Sequence, residues 1–167
     1  MIGKIIFFMG RSASGKSTIS KILSEELRRQ NYSCVVVEAE DLAKNKIMPR
    51  LGDFSLDARL ERAPHLVKIV KWLQPQFDYV VIAATGQPNG VREVFRQNFT
   101  NYTSIYLSAS LELCKSRDYK GIYKLQTVPG LDLPFTEPLD CNHVIEVNNL
   151  SPEEILKIVK RLISLEK

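Results

Sequence analysis

Apolar positions along the chain follow two alternating rhythms. Short, nearly continuous apolar runs at Lys4–Met9, Ser33–Glu38, Asp78–Ala84, Thr103–Leu107 and His143–Val147 read as buried strands. Between them, apolar residues recur at helical spacing. Ser17–Gln30 carries Ile19, Ile22, Leu23 and Leu27 on one face, and further helices are expected over about Ser55 to Leu73, Val91–Asn98, Ser110–Ser116 and Ser151–Leu165. Ser151 and Glu154 have the spacing of a capping box, with Pro152 in the first turn. Five strands separated by helices predict βαβ units. The expected fold class is therefore α/β, a three-layer sandwich with a five-stranded parallel sheet covered on both faces. The stretch after Glu38 reads as a polar connection. From Arg117 to Pro138 the periodicity is lost among Lys, Gly and Pro residues, which predicts a long loop of the kind that forms an active-site lid or a simple disordered connection.

Composition narrows the class without naming a chemistry. A chain of 167 residues, 44% hydrophobic and 25% charged, suits a single domain over 1–167 with a full core. A net charge of +4 from scattered basic residues argues for small anionic ligands and against a nucleic-acid partner. Cys34, Cys114 and Cys141 are odd in number and lack metal-ligand spacing, so reduced thiols packed as small apolar groups are expected. No apolar stretch approaches the roughly 18 residues of a membrane span, and a cytoplasmic address without membrane contact is expected.

Chemistry enters at the end of the first strand. Gly10-Arg11-Ser12-Ala13-Ser14-Gly15-Lys16-Ser17, followed by Thr18, matches G-x-x-x-x-G-K-[ST] at every fixed position and lies between an expected strand and an expected helix. Glycines at both ends let the main chain wrap a polyphosphate, so that N–H groups and the positive helix end face the anion. The phosphate-loop (P-loop) NTPase-like reading makes Gly10, Ser12, Ala13, Ser14, Gly15, Lys16, Ser17 and Thr18 nucleotide-binding. Lys16 reaches the β- and γ-phosphates, and Ser17 offers its hydroxyl to Mg²⁺. The third strand ends in Thr85-Gly86 with no acid, so the usual metal-shell carboxylate of a nucleotide hydrolase is missing there. Glu38, Glu40 and Asp41, after the second strand, are the alternatives for metal coordination or for taking a proton from an acceptor hydroxyl. That arrangement suits a small-molecule kinase.

Several ordered segments resemble the adenylyl-sulfate kinases. GRSASGKST stands for a GLSGSGKST-like loop, VVEAEDL for an L-D-G-D-N type segment and GDFSLDARLER for a G-F-S-x-x-D-R-x-E-N type segment. Leu111-Glu112-Leu113-Cys114, then Arg117-Asp118-Tyr119-Lys120-Gly121-Ile122-Tyr123-Lys124, and then Asn149-Leu150-Ser151-Pro152-Glu153-Glu154 match L-E-V-C, R-D-P-K-G-L-Y-K and N-L-S-P-E-E. The resemblance implies ATP and Mg²⁺ as co-substrate and cofactor, a nucleotide acceptor phosphorylated on its ribose 3′-hydroxyl, and a homodimer. It places Arg117 near the ATP adenine and phosphates, and Lys120 and Tyr123 in a lid. Phe54, Arg59, Arg62, Arg92 and Lys120 then hold the acceptor, with Lys16, Glu40 and Glu38 as the catalytic group. Departures cluster on the acceptor side. The second-strand aspartates become Glu38 and Glu40, an asparagine becomes Arg62, a basic pair becomes Pro64-His65, and I-S-P-[YF]-R becomes Ala84-Thr85-Gly86-Gln87-Pro88-Asn89. The lid after Tyr123 is shorter than the family's. A different nucleotide conjugate or small hydroxyl compound, a nucleotide-binding module without transfer activity, and a slow hydrolase remain as rival readings.

Overall fold

Strand β1 (Lys4–Met9) runs through the middle of a five-stranded parallel sheet whose order is β2-β3-β1-β4-β5. The other strands of the sheet in the computed structural model, which describes residues 2–50, 53–124, 128 and 131–165, are β2 (Cys34–Glu38), β3 (Tyr79–Ala83), β4 (Tyr102–Ser108) and β5 (His143–Glu146). Every residue of β1 after Lys4 is buried, because side chains alternate across a sheet that is covered on both faces. Ile6 and Phe8 face α1 (Lys16–Arg29) and α6 (Pro152–Leu162), packing with Leu23, Leu27 and Val159. Ile5, Phe7 and Met9 face α3 (Leu56–Leu73) and α4 (Asn89–Asn98), where Leu66, Val70 and Phe95 meet them. The Phe7 and Phe95 rings lie 4.8 Å apart.

All five expected strands and all five expected helices are present, with ends shifted by a few residues. The stretch after Glu38 is the exception, since it forms a short helix, α2 (Ala39–Lys44), steadied by an ion pair between Glu40 and Lys44 one turn apart. Helix α5 (Leu111–Ser116) is capped by Ser110, and α6 has the capping box of Ser151 and Glu154 with Pro152 in its first turn. Of the long loop, residues 125–127, 129 and 130 lie outside the described residues; its first limb carries a 3-10 turn at Ile122–Lys124. The three cysteines are free thiols, Cys34 and Cys114 buried and Cys141 half-buried. Among the described residues, no helix is long and apolar enough to cross a membrane.

Register is what assembles the site. Met9 is level with Tyr106, and Glu38 and Phe8 are both level with Ala83, so the carboxyl ends of four strands converge at one edge. Connections leaving that edge run to both sides of β1, which opens a crevice beside it, as parallel α/β sheets do.

Candidate active site

The loop between β1 and α1 occupies that crevice. Gly10 has φ 150, and a Cβ there would stand 2.7 Å from the Ser14 hydroxyl oxygen and 2.8 Å from the Leu107 carbonyl oxygen, so only glycine lets the loop sit this close to β4. Gly15 takes the left-handed region at φ 101 as it starts the helix, and Ala13 joins it there at φ 61. The first turn of α1 contributes the N–H groups that a helix leaves without intrahelical partners, and these form an anion seat. Lys16 folds back over the loop, its Nζ donating to the carbonyls of Arg11 at 2.6 Å and Gly10 at 3.1 Å. Burial pulls its ammonium down to about 8, against the opposing pull of Cys114, Glu40 and Glu38. A polyanion in the seat would supply the charge partner that this lysine lacks.

The two candidate carboxylates have different roles in the geometry. Glu38 ends β2, and its Oε2 accepts a 2.8 Å hydrogen bond from the Ser17 hydroxyl. Its Oε1 is buried and finds no hydrogen-bond partner among the described residues. A hydroxyl and a carboxylate side by side at the phosphate seat are the hard oxygen donors that Mg²⁺ prefers. Glu40 stands on α2 at the cavity wall with Lys44 2.9 Å away. Burial pushes the Glu40 carboxyl up, but the Lys44 hydrogen bond and the charges of Lys44, Lys120 and Lys16 outweigh it and leave it below the ordinary range. Asp41, the third candidate, is exposed and does not line the cavity.

One cavity of about 560 Å³ joins these groups to both flanks of the loop. On one flank, the lining includes Leu150, Pro152, Ile155 and Arg117. On the other flank, Ala39, Met48, Phe54, Leu66 and Thr85 form a largely apolar chamber with Arg59 in its wall. Arg59 donates through Nε to the Phe54 carbonyl at 2.8 Å and through Nη1 to the Thr85 hydroxyl at 3.0 Å. Burial, and then the neighbouring Arg62, pull its guanidinium down to about 10, although Glu40 opposes them. Such a cation gains from an anion entering the chamber.

Arg62 and Arg92 are both engaged with partners in the protein. Arg62 donates through Nε to the Pro49 carbonyl at 2.9 Å and through Nη2 to the carbonyls of Arg50 and Asp53. It reaches the cavity wall, but its guanidinium ties down the chain ahead of α3. Arg92 does not line the cavity at all: its Nε meets Asp140 at 2.9 Å and its Nη1 meets the Gly86 carbonyl at 2.7 Å. Both side chains are buried on these partners because a guanidinium taken out of water must satisfy its fork of donors. Arg117 and Lys120, both exposed, do line the cavity, and Asp118 holds the turn beyond them by accepting from the N–H groups of Ile122 and Tyr123 at 2.9 and 2.7 Å.

The adenylylsulphate kinase family model matches residues 2–146. The chain belongs to that family. It is 28% identical to the adenylyl-sulfate kinase of Gloeothece citriformis over 96% of both chains, and 30% identical to that of Bacillus pumilus over 90% of this chain and 79% of the relative. Its fold superposes on the Mycobacterium tuberculosis APS kinase in complex with AMPPNP and APS with a TM-score of 0.84, at 22% identity and 98% coverage of both chains. Shikimate kinase from Acinetobacter baumannii shares the fold at a TM-score of 0.63 and 17% identity, covering 98% of this chain and 95% of that one. The chain is thus a phosphotransferase of the adenylylsulphate kinase family, whose members use ATP and Mg²⁺.

Within that family frame, three parts of the site escape a reading of the sequence. The wall made by Leu150, Pro152 and Ile155 sits in the N-L-S-P-E-E match, where the capping signal is visible but the cavity contact is not. Thr85 becomes the partner of Arg59 from a stretch whose sequence shows only a missing acid and a departure from the family's pattern, not this contact. Gln87, two residues on, exchanges two hydrogen bonds with the Thr136 backbone, at 2.6 and 3.1 Å, and ties the second limb of the long loop to the carboxyl end of the sheet.

Proposed function

We propose that this chain transfers the γ-phosphoryl group of ATP to a ribose 3′-hydroxyl of a nucleotide 5′-conjugate, with adenosine 5′-phosphosulfate as the reference acceptor. The observation that carries the reading is the continuity of the cavity. The phosphate seat with Lys16 and the Ser17–Glu38 pair open directly into the chamber of Phe54 and Arg59. Gly10 and Ser12–Thr18 hold the donor triphosphate, and Lys16 leaves the carbonyls of Gly10 and Arg11 to neutralise charge on the transferring group. Ser17 and Glu38 would hold Mg²⁺, which supplies charge neutralisation at the phosphates when bound. Glu40, kept ionised by Lys44, faces the seat as the group that accepts the acceptor's hydroxyl proton. Phe54 offers its ring to a base, and Arg59 and Lys120 offer cations to the 5′-phosphoryl end. Arg117 flanks the donor.

A second acceptor class is favoured by one observation. With Arg62 engaged on the chain ahead of α3 and Arg92 outside the cavity, the chamber offers fewer free guanidinium donors than the pattern Phe54-Arg59-Arg62-Arg92 implies, so a nucleotide conjugate less charged than a phosphosulfate is the alternative. Transfer of labelled γ-phosphoryl to adenosine phosphosulfate, to other nucleotide 5′-conjugates and to small hydroxy acids, with Lys16→Ala as the blank, separates the readings. Label in the phosphosulfate nucleotide supports the first, and label only in another conjugate supports the second. Label in none of them with MgATP bound would leave a binding module. Sedimentation of the same sample reads the homodimer that the family resemblance suggests.

A further inference from the structure

Arg11 is the one residue of the phosphate loop that the proposed transfer does not use. It stands where the family's GLSGSGKST-like loop has leucine, and it does not line the cavity. Its guanidinium instead lies over the ring of Phe135, 4.2 Å from the centroid, with Tyr106 beside that ring at 6.4 Å. Its Nη1 is buried and has no hydrogen-bond partner among the described residues, so the stacked ring is its principal contact there. Phe135 belongs to the second limb of the long loop. The next residue, Ser12, holds the first limb: its carbonyl accepts a 2.7 Å hydrogen bond from the Tyr123 hydroxyl. Two consecutive residues of the phosphate loop therefore fasten both limbs.

The main chain of Arg11 is tied to catalysis as well. Its carbonyl is the nearer of the two acceptors of the Lys16 ammonium. When Lys16 moves to a triphosphate, that carbonyl loses its partner, and the residue that must readjust is the one stacked on Phe135. The first limb carries Arg117 and Lys120, which line the cavity, and Asp118 sets their turn through two N–H bonds. The second limb is held at Thr136 by Gln87 and at Asp140 by Arg92, and Phe135 joins it to Arg11.

We propose that Arg11 is a positioning residue: together with Tyr123 it couples occupancy of the phosphate loop to the described limbs at 117–124 and 131–138, and so holds Arg117 and Lys120 over bound nucleotide. This rests on the reading that a nucleoside triphosphate fills the loop. The coupling runs through a planar cation on an aromatic face and through one hydroxyl hydrogen bond, contacts that a leucine and a phenylalanine remove without changing the fold.

The test uses the full chain with Mg-AMPPNP and limited trypsin digestion at the exposed Lys120 and Lys124, alongside direct titration of nucleotide binding. In the wild type, saturating nucleotide is expected to slow cleavage in this limb by roughly an order of magnitude, as for a segment whose local opening is suppressed. Arg11→Leu should bind nucleotide roughly 3- to 10-fold more weakly and should lose most of the protection even at saturation, while Arg11→Lys, which keeps a cation over the ring, restores part of both. Steady-state kinetics should show the KM for ATP rising in Arg11→Leu while kcat falls by less. Tyr123→Phe should reproduce the loss of protection with a smaller change in affinity. Full protection in both Arg11→Leu and Tyr123→Phe at saturation would overturn the coupling while leaving the nucleotide reading intact. A wild type that binds nucleotide without any protection would overturn it too, and a wild type that binds none would remove both.

Discussion

The donor and acceptor halves of the cavity are built on opposite plans. The donor half is main chain: a loop pinned by Gly10 and Gly15, with the amides of α1 behind it and one lysine in front. The acceptor half is side chains standing on α2, α3, the segment between them and the end of β3, and its shape depends on how each cation finds its partners. Arg59 and Arg62 lie one turn apart on α3, yet one donates into the chamber wall and the other to the carbonyls of Pro49, Arg50 and Asp53. A main-chain site tolerates few sequences and keeps its geometry. A side-chain site can be rebuilt by single substitutions, and this is where the chain departs from its family's pattern.

The sharpest way to break this contrast is at Lys16. Lys16→Ala should lower transfer by about 10³-fold with any acceptor, because it removes charge stabilisation that the loop amides cannot replace. A loss confined to one acceptor would mean that the donor half is not generic.

The carboxylates come next. Glu38→Gln should cost about 10²-fold in kcat and raise the Mg²⁺ concentration needed for half-maximal rate, since it alters the partner of Ser17. Glu40→Gln should cost about 10-fold or more, leave the Mg²⁺ requirement unchanged and remove the acid limb of the pH–rate profile, because its carboxyl must be ionised to take the proton. Identical Mg²⁺ titrations for the two variants would merge the roles assigned separately to them.

Within the acceptor half, the two arginines of α3 should separate stability from binding. Arg59→Leu is expected to raise the KM for acceptor roughly 10- to 30-fold with Tm unchanged or higher, because a buried cation with a depressed pKa leaves and no carbonyl is stranded except that of Phe54. Arg62→Leu should instead lower stability by about 2 kcal/mol, since it strands the carbonyls that its fork now satisfies. If the two variants lose binding and stability in the same proportion, the division of labour on this helix is wrong.

The uneven legibility of the two halves has the same physical root. The strand, loop and helix around Gly10–Thr18 could be read from the chain because short-range backbone geometry dictates glycine, lysine and serine at fixed spacing. The buried runs of β1 and β3 were equally plain, since a sheet covered on both faces needs continuous apolar strands. Helix α2 was hidden because its six residues are too few to show a period, and its support, the Glu40–Lys44 pair, is a side-chain contact. The protein partners of Arg62 and Arg92 could not be read, because residue type records a charge and not its partner. Their partners, at Pro49 and at Asp140, lie 13 and 48 residues away.

The smallest effect lies in the donor half and concerns its stability without nucleotide. Lys16 titrates near 8 in the folded protein against 10.5 when freely solvated, with burial as the main cause. Between those values the unfolded chain holds more of this proton than the native one, so the contribution of Lys16 to stability rises with pH across that interval. Below about 8 the lysine is charged in both states and its full burial cost is felt. Lys16→Met removes the titration together with the bonds to Gly10 and Arg11, and whatever its offset, the stability of this variant relative to wild type should fall by about 1–2 kcal/mol as pH rises from 7 to 10, after discounting for partial exposure. Denaturant titrations of both proteins at several pH values read that slope. A flat difference would mean that the Lys16 ammonium keeps its water until a triphosphate displaces it, and that the main-chain half of the site carries no electrostatic strain while empty.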